Sequence, residues 1–140
     1  MQVREPVSGP VDVLIVDDEP HLPELVSMLL ARFGYRAETV MTGEEVLARL
    51  ERGPVRLIIS DHYLSAGQLS GLDLVREVGR RWEVPFLVVT ASFDLDVIDA
   101  LRNEPAVVRV IRKPFDLLEV VNLVRGAIGG PVDAGGRGSL

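Results

Sequence analysis

The sequence predicts an α/β fold in which a five-stranded parallel sheet is covered by helices on both faces. Two observations carry that prediction. Short apolar runs alternate five times with stretches whose apolar residues recur at helical spacing. The runs are apolar at most positions, as strands covered on both faces are, and strands joined by helical crossovers lie parallel. Right-handed crossovers then bring the C-terminal end of every strand to one edge of the sheet, where open α/β folds bind ligands.

Taken in order, residues 1–10, with Pro6, Gly9 and Pro10, read as a flexible lead-in. Val11–Val16 is the first strand. Asp17-Asp18-Glu19-Pro20 stops it and caps a helix whose Leu22, Leu25, Val26, Leu29, Leu30 and Phe33 recur on one face, with Gly34 as the stop. Pro20 and Pro23 place the start of that helix at about Glu19 or Pro20, because first-turn amides have no partner to lose. Tyr35–Val40 is a second, weaker strand. Thr42-Gly43-Glu44-Glu45 is a capping box for a helix carrying Val46, Leu47 and Leu50, ended by Gly53-Pro54. Val55–Ser60 is the third strand and delivers Asp61 to its tip.

After a long loop, Leu72, Leu74, Val75 and Val78 mark a third helix ending near Arg80-Arg81. Pro85–Thr90 is the fourth strand, and Leu95, Ile98 and Leu101 mark a brief fourth helix. Ala106–Ile111 is the fifth strand. Asp116 and Glu119 then cap a last helix with Leu117, Val121, Val124 and Ile128 as its buried positions. The folded unit is thus expected over 11–128. Residues 129–140 hold five Gly in twelve positions and read as a flexible tail or linker.

The totals narrow the function. A chain of 140 residues is one domain by length, and it stands without staples, having no Cys. Absence of Cys fits a reducing compartment, and with no apolar signal core or membrane span the expected location is cytoplasmic. A net charge of −6 argues against non-specific binding to nucleic acid. Of 15 basic residues 14 are Arg, so Lys113 stands out as a place for a compact ammonium.

The polar residues at the strand ends form the candidate site. Asp17 and Asp18 follow strand one, Asp61 strand three, Thr90 ends strand four and Lys113 follows strand five. Each alone has a structural reading as cap or turn residue. Together they fall on one edge, and strand two contributes nothing. Three neighbouring carboxylates require raised pKa values or a bound cation. A hard divalent ion held by few carboxylates, with positions open to water or phosphate oxygens, is the usual setting for Mg²⁺. Acid with Mg²⁺ suggests phosphoryl chemistry, with Asp61 as nucleophile and Lys113 and Thr90 neutralising and bonding the phosphoryl oxygens.

The motifs Val16-Asp17-Asp18-Glu19, Ser60-Asp61, Gly71-Leu72-Asp73, Val89-Thr90-Ala91 and Lys113-Pro114-Phe115, in this order, resemble those of the receiver (response-regulator) domain of two-component signalling, over about Val11 to Ile128. The resemblance implies the flavodoxin-like doubly wound sheet with strand order 2-1-3-4-5. It implies that Asp61 accepts a phosphoryl group from the phosphohistidine of a histidine kinase or phosphotransfer protein. It implies Mg²⁺ bound directly by Asp18 and Asp61, by Asp17 through water, and by the Tyr63 backbone carbonyl. Lys113 and Thr90 would contact the phosphoryl oxygens, and the Lys113-Pro114 bond would be cis. Such a domain is a signalling switch that catalyses at most its own phosphorylation and dephosphorylation.

Three departures stand out. Many receivers carry Pro four and Gly eight residues after the acceptor; here Ser65 and Leu69 hold those places and the matching Gly is Gly71. The loop is therefore longer, with Ser65-Ala66-Gly67-Gln68 as a tip that is mobile or reaches a partner. The fifth-strand position that commonly holds an aromatic is Val110, so the usual inward-swinging ring is missing and signalling is expected to run through the loops after strands three and four. Tyr63 and Ser92 occupy the variable positions that shield or admit hydrolytic water, and the bulk of Tyr63 is expected to slow hydrolysis.

Two other classes share parts of this pattern. A phosphatase of the haloacid dehalogenase type would want a second acid two residues after the nucleophile, where Tyr63 stands. A receiver-shaped interaction module that is never phosphorylated fits Val110 but not the full set of acids, Thr90 and Lys113. The stretch after Gly129 is too short for a helix-turn-helix, so any output domain is expected in another chain or in a part cut away, with no direct DNA binding by this chain; without an apolar span, no membrane attachment is expected either. Arg109 and Arg112 read as solvated surface, with a homodimer contact as the alternative.

Overall fold

The computed structural model describes residues 10–64, 67 and 69–131. The lead-in up to Gly9, the loop-tip residues Ser65, Ala66 and Gln68, and the tail from residue 132 lie outside the described residues. The elements run β1 (Val11–Val16), α1 (His21–Arg32), β2 (Ala37–Val40), α2 (Gly43–Arg52), β3 (Val55–Asp61), α3 (Gly71–Gly79), β4 (Phe86–Thr90), α4 (Leu95–Arg102), β5 (Val107–Arg112) and α5 (Leu117–Ile128). The strands form one parallel sheet in the order β2-β1-β3-β4-β5, the doubly wound arrangement expected.

Alternation along the central strands divides the core in two. Val13, Ile15, Leu57, Ile59, Leu87 and Val89 pack against α1 and α5 through Val26, Leu30, Val121 and Val124. Leu14, Val16, Ile58, Phe86 and Val88 pack against α2, α3 and α4 through Val46, Leu50, Leu74, Val78 and Leu101. Burial on both faces holds for β1, β3 and β4. The edge strands are half-exposed, because each has a neighbour on one side only and the helices do not reach across it: β2 has no fully buried residue, and in β5 only Val110 and Ile111 are buried.

Helix starts follow local chemistry. The Thr42 and Glu45 capping box forms as its spacing predicts. A second box, Ser70 with Asp73, starts α3 and was not read from the sequence. Asp94 caps α4 and Asp116 caps α5. The first helix differs from expectation. It starts at His21, and Pro20 occupies its cap position without a side-chain cap; Glu19 Oε1 accepts from the His21 amide of the first turn, while Asp17 accepts from the Glu19 amide in the entering loop. Leu25 and Phe33, expected in the core stripe, are exposed, because the buried face of α1 is the narrower stripe of Pro23, Val26 and Leu30. Leu95 is likewise exposed, at the end of α4 that projects beyond the sheet.

Beneath the sheet, at its N-terminal edge, the residues leaving α5 are held. Arg56 donates to Asp12 (2.7 Å), to the Gly130 carbonyl (2.9 Å) and to the Ile128 carbonyl, and the Tyr35 hydroxyl donates to the Gly129 carbonyl (2.7 Å). Asp12, 1% exposed, also accepts from the Arg36 amide. A buried carboxylate is tolerable when it is paired and hydrogen-bonded in this way.

Candidate functional site

The site is built where β1, β3, β4 and β5 end. Asp61 is the last residue of β3, carried there by a buried apolar strand, and is itself nearly buried. Its Oδ2 takes a bond from Lys113 Nζ at 2.5 Å, and its Oδ1 accepts from the Tyr63 amide at 3.0 Å. Lys113 reaches it because β5 pairs with β4 up to Thr90 and Arg112, and the Lys113 amide then donates to the Thr90 carbonyl at 2.9 Å. The Lys113–Pro114 peptide is cis, as the resemblance implied. Thr90 is 2% exposed, and its hydroxyl oxygen accepts from the Ser92 amide at 3.0 Å.

Asp17 follows β1 and lines the same small cleft as Asp61 and Lys113, over a floor of Ile15, Ile59, Val89 and Phe115. Its carboxyl pKa is pushed up from 3.8 to about 6. Loss of water on burial is the main cause, and the charges of Asp61 and Asp18 add to it. The Glu19 amide and Lys113 oppose it. Asp18 is half-buried beside it in the β1–α1 loop. Among the described residues no three His, Cys, Asp or Glu side chains are grouped so as to hold a metal ion by themselves. Hard oxygen donors gathered so that Asp61 and Asp18 raise the proton affinity of Asp17 nonetheless fit a small divalent cation that keeps most of its own water and needs few protein ligands.

The β3–α3 loop is fixed by close backbone approach. Gly71 donates to the His62 carbonyl at 2.8 Å, and a Cβ on Gly71 would stand 2.7 Å from His62 Cα and 2.9 Å from the Asp61 carbonyl oxygen. The Gly belongs where it does because no side chain fits. Of the loop tip only Gly67 is described: it has φ +86, and a Cβ on it would lie 2.7 Å from Glu44 Oε1. Gly67 thus lies against Thr42 and Glu44 at the N-terminus of α2. Tyr63 is 78% exposed, so little of it is spent covering the acid.

Two features were not legible beforehand. His62 Nδ1 is buried without a hydrogen-bond partner among the described residues. Arg112 lies 4.0 Å over the ring of Phe93, an exposed aromatic in the loop after Thr90. A bulky aromatic in an otherwise polar loop was the available signal. Arg109 is exposed, in keeping with its reading as surface.

Among known proteins, the family described as "Response regulator receiver domain" matches residues 13–125. The sensory transduction protein RegX3 of Mycolicibacterium smegmatis is 29% identical over 116 residues, covering 83% of this chain and 50% of that protein. The nitrogen assimilation regulatory protein NtrX of Azorhizobium caulinodans is 32% identical over 118 residues, covering 84% of this chain and 26% of that protein. Among solved structures, the receiver domain of NtrX from Brucella abortus superposes with a TM-score of 0.73 at 28% identity, covering 83% of this chain and 97% of that one. A signal receiver domain of an HD domain-containing protein from Pseudomonas fluorescens gives 0.76 at 24% identity, covering 84% and 94%, a likeness of fold. The chain spans about a quarter to a half of the length of these two curated relatives.

Proposed function

This chain belongs to the response-regulator receiver domain family of two-component systems, and from that premise we propose that Asp61 is its phosphoryl acceptor. The observation that carries the reading is the 2.5 Å contact between Lys113 Nζ and Asp61 Oδ2, made by residues from β5 and β3 at one edge of the sheet. In the reaction a carboxylate oxygen of Asp61 attacks the phosphorus of a phosphohistidine on a histidine kinase or phosphotransfer protein. The new P–O bond forms as the P–N bond breaks, and the imidazole leaves neutral with the proton already on its other nitrogen.

Lys113 holds Asp61 in position before transfer and neutralises a phosphoryl oxygen after it. The Thr90 hydroxyl, buried at the end of the neighbouring strand, donates to a second oxygen. Asp17, Asp18, Asp61 and the Tyr63 carbonyl are the residues that would hold Mg²⁺, which supplies positive charge to the phosphoryl oxygens when bound. The domain acts as a signalling switch whose chemistry is confined to its own acyl phosphate. We place it in the cytoplasm, where ATP charges phosphohistidine donors. No helix among the described residues is long and apolar enough to cross a membrane.

Incubation with acetyl phosphate and Mg²⁺, read by intact mass, tests the proposal. The expected result is one added phosphoryl group on the wild type, none on Asp61→Asn and none without Mg²⁺. An unmodified wild type beside a control receiver that labels would leave an interaction module that is never phosphorylated.

A further inference from the structure

We propose that the stack of Arg112 on Phe93 is a latch whose closure depends on the Thr90 hydroxyl, so that phosphorylation of Asp61 opens it; this rests on the reading of Asp61 as acceptor. The β4–α4 loop is a chain of side-chain to backbone bonds that begins at the site. Thr90 Oγ1 accepts from the Ser92 amide (3.0 Å), Ser92 Oγ from the Asp94 amide (3.0 Å), and Asp94 Oδ1 from the Asp96 amide (2.9 Å) in the first turn of α4. Phe93 sits inside this chain, 79% exposed even with the Arg112 guanidinium above its ring.

Arg112 reaches the site from the opposite side. It is the register partner of Thr90 across the β4–β5 ladder, and the next residue, Lys113, bonds both the Thr90 carbonyl and the Asp61 carboxylate. Both halves of the stack are therefore one residue or one turn from groups that must reposition when Asp61 acquires a phosphoryl group. Thr90, at 2% exposure, has its hydroxyl shielded from water. Turning its oxygen towards a phosphoryl acceptor draws it off the Ser92 amide, and the turn carrying Phe93 is released. Val110, the buried β5 residue on the face shared with Leu101 of α4, has no polar atom and no ring to carry the change through the core. The surface stack joins β5 to the loop that leads into α4, where a change at the site can reach it.

Coupling of this kind is reciprocal: if phosphorylation opens the latch, the latch opposes phosphorylation by the same factor. An exposed cation–π contact of this kind corresponds to a factor of about two to five. The test uses the full chain with Mg²⁺ and beryllofluoride, a phosphoryl mimic, titrated into wild type, Phe93→Leu and Phe93→Ala. Both variants remove the ring, keep the net charge and are at an exposed position. The expected result is about two- to fivefold tighter beryllofluoride binding in both. The NMR signals of the Phe93 ring and the Arg112 Nε–H in the wild type should move on binding towards their unstacked positions. Asp61-dependent binding with equal affinity in all three proteins and unmoved stack signals would overturn the latch alone. No binding to the wild type would overturn both the latch and the acceptor reading.

Discussion

Asp17→Asn is expected to stabilise the folded chain at neutral pH, although it removes a residue of the proposed cation site. The folded chain holds the Asp17 proton up to about pH 6, whereas the ordinary value is 3.8. Unfolding between those values releases a proton. The stability that this group contributes is therefore full below pH 3.8 and lost as the pH rises through about 6. Each pH unit of that interval corresponds to about 1.4 kcal/mol, so at pH 7.5 the ionised Asp17 costs the fold ~3 kcal/mol relative to a neutral residue of the same shape. Asn is that residue, and its amide oxygen can still accept from the Glu19 amide. Urea unfolding in the absence of Mg²⁺ reads the difference: the variant should exceed the wild type by ~2–3 kcal/mol at pH 7.5, and the two curves should converge below pH 4. Added Mg²⁺ should raise the wild-type midpoint more than that of the variant, because the ion relieves the same crowding of charge. A wild type that matches or exceeds Asp17→Asn at pH 7.5, or a gap of constant size down to pH 4, would refute burial and neighbouring carboxylates as the origin of the perturbation.

Gly71→Ala drives a methyl group into the backbone of His62 and Asp61, which cannot yield as a flexible side chain would. It should cost ~2–3 kcal/mol in urea unfolding and slow labelling of Asp61 by acetyl phosphate; wild-type values for both would show that the close approach is not limiting. Thr42→Ala removes the hydroxyl that accepts from the Glu45 amide and should cost ~1 kcal/mol by the same measurement, with labelling of Asp61 unchanged, since that box lies away from the acid.

The sequence by itself determined the element order, the parallel sheet and the edge on which Asp17, Asp18, Asp61, Thr90 and Lys113 stand. These follow from patterns that are local or periodic: an apolar strand must end where its polar residue begins, and parallel crossovers put all such ends together. The Thr42 capping box was legible for the same reason, being complete within four residues. The resemblance supplied the strand order, which alternation alone leaves open. Only the tertiary structure decided which apolar residues are core. Leu25 and Phe33 have the right spacing yet face out, because the width of the buried stripe is set by the sheet that α1 lies on.

The same holds for contacts between residues distant in the chain. Arg56 meets Asp12 and the carbonyls leaving α5, and Arg49, 1% exposed, meets Glu38, with nothing in their own neighbourhoods to announce it. The raised proton affinity of Asp17 likewise depends on how deeply three strands bury it and on which charges they bring near. Gly71 shows both sides: its place after the acid was visible in the sequence, but its reason, a backbone passing within contact of its Cα, exists only in the folded chain.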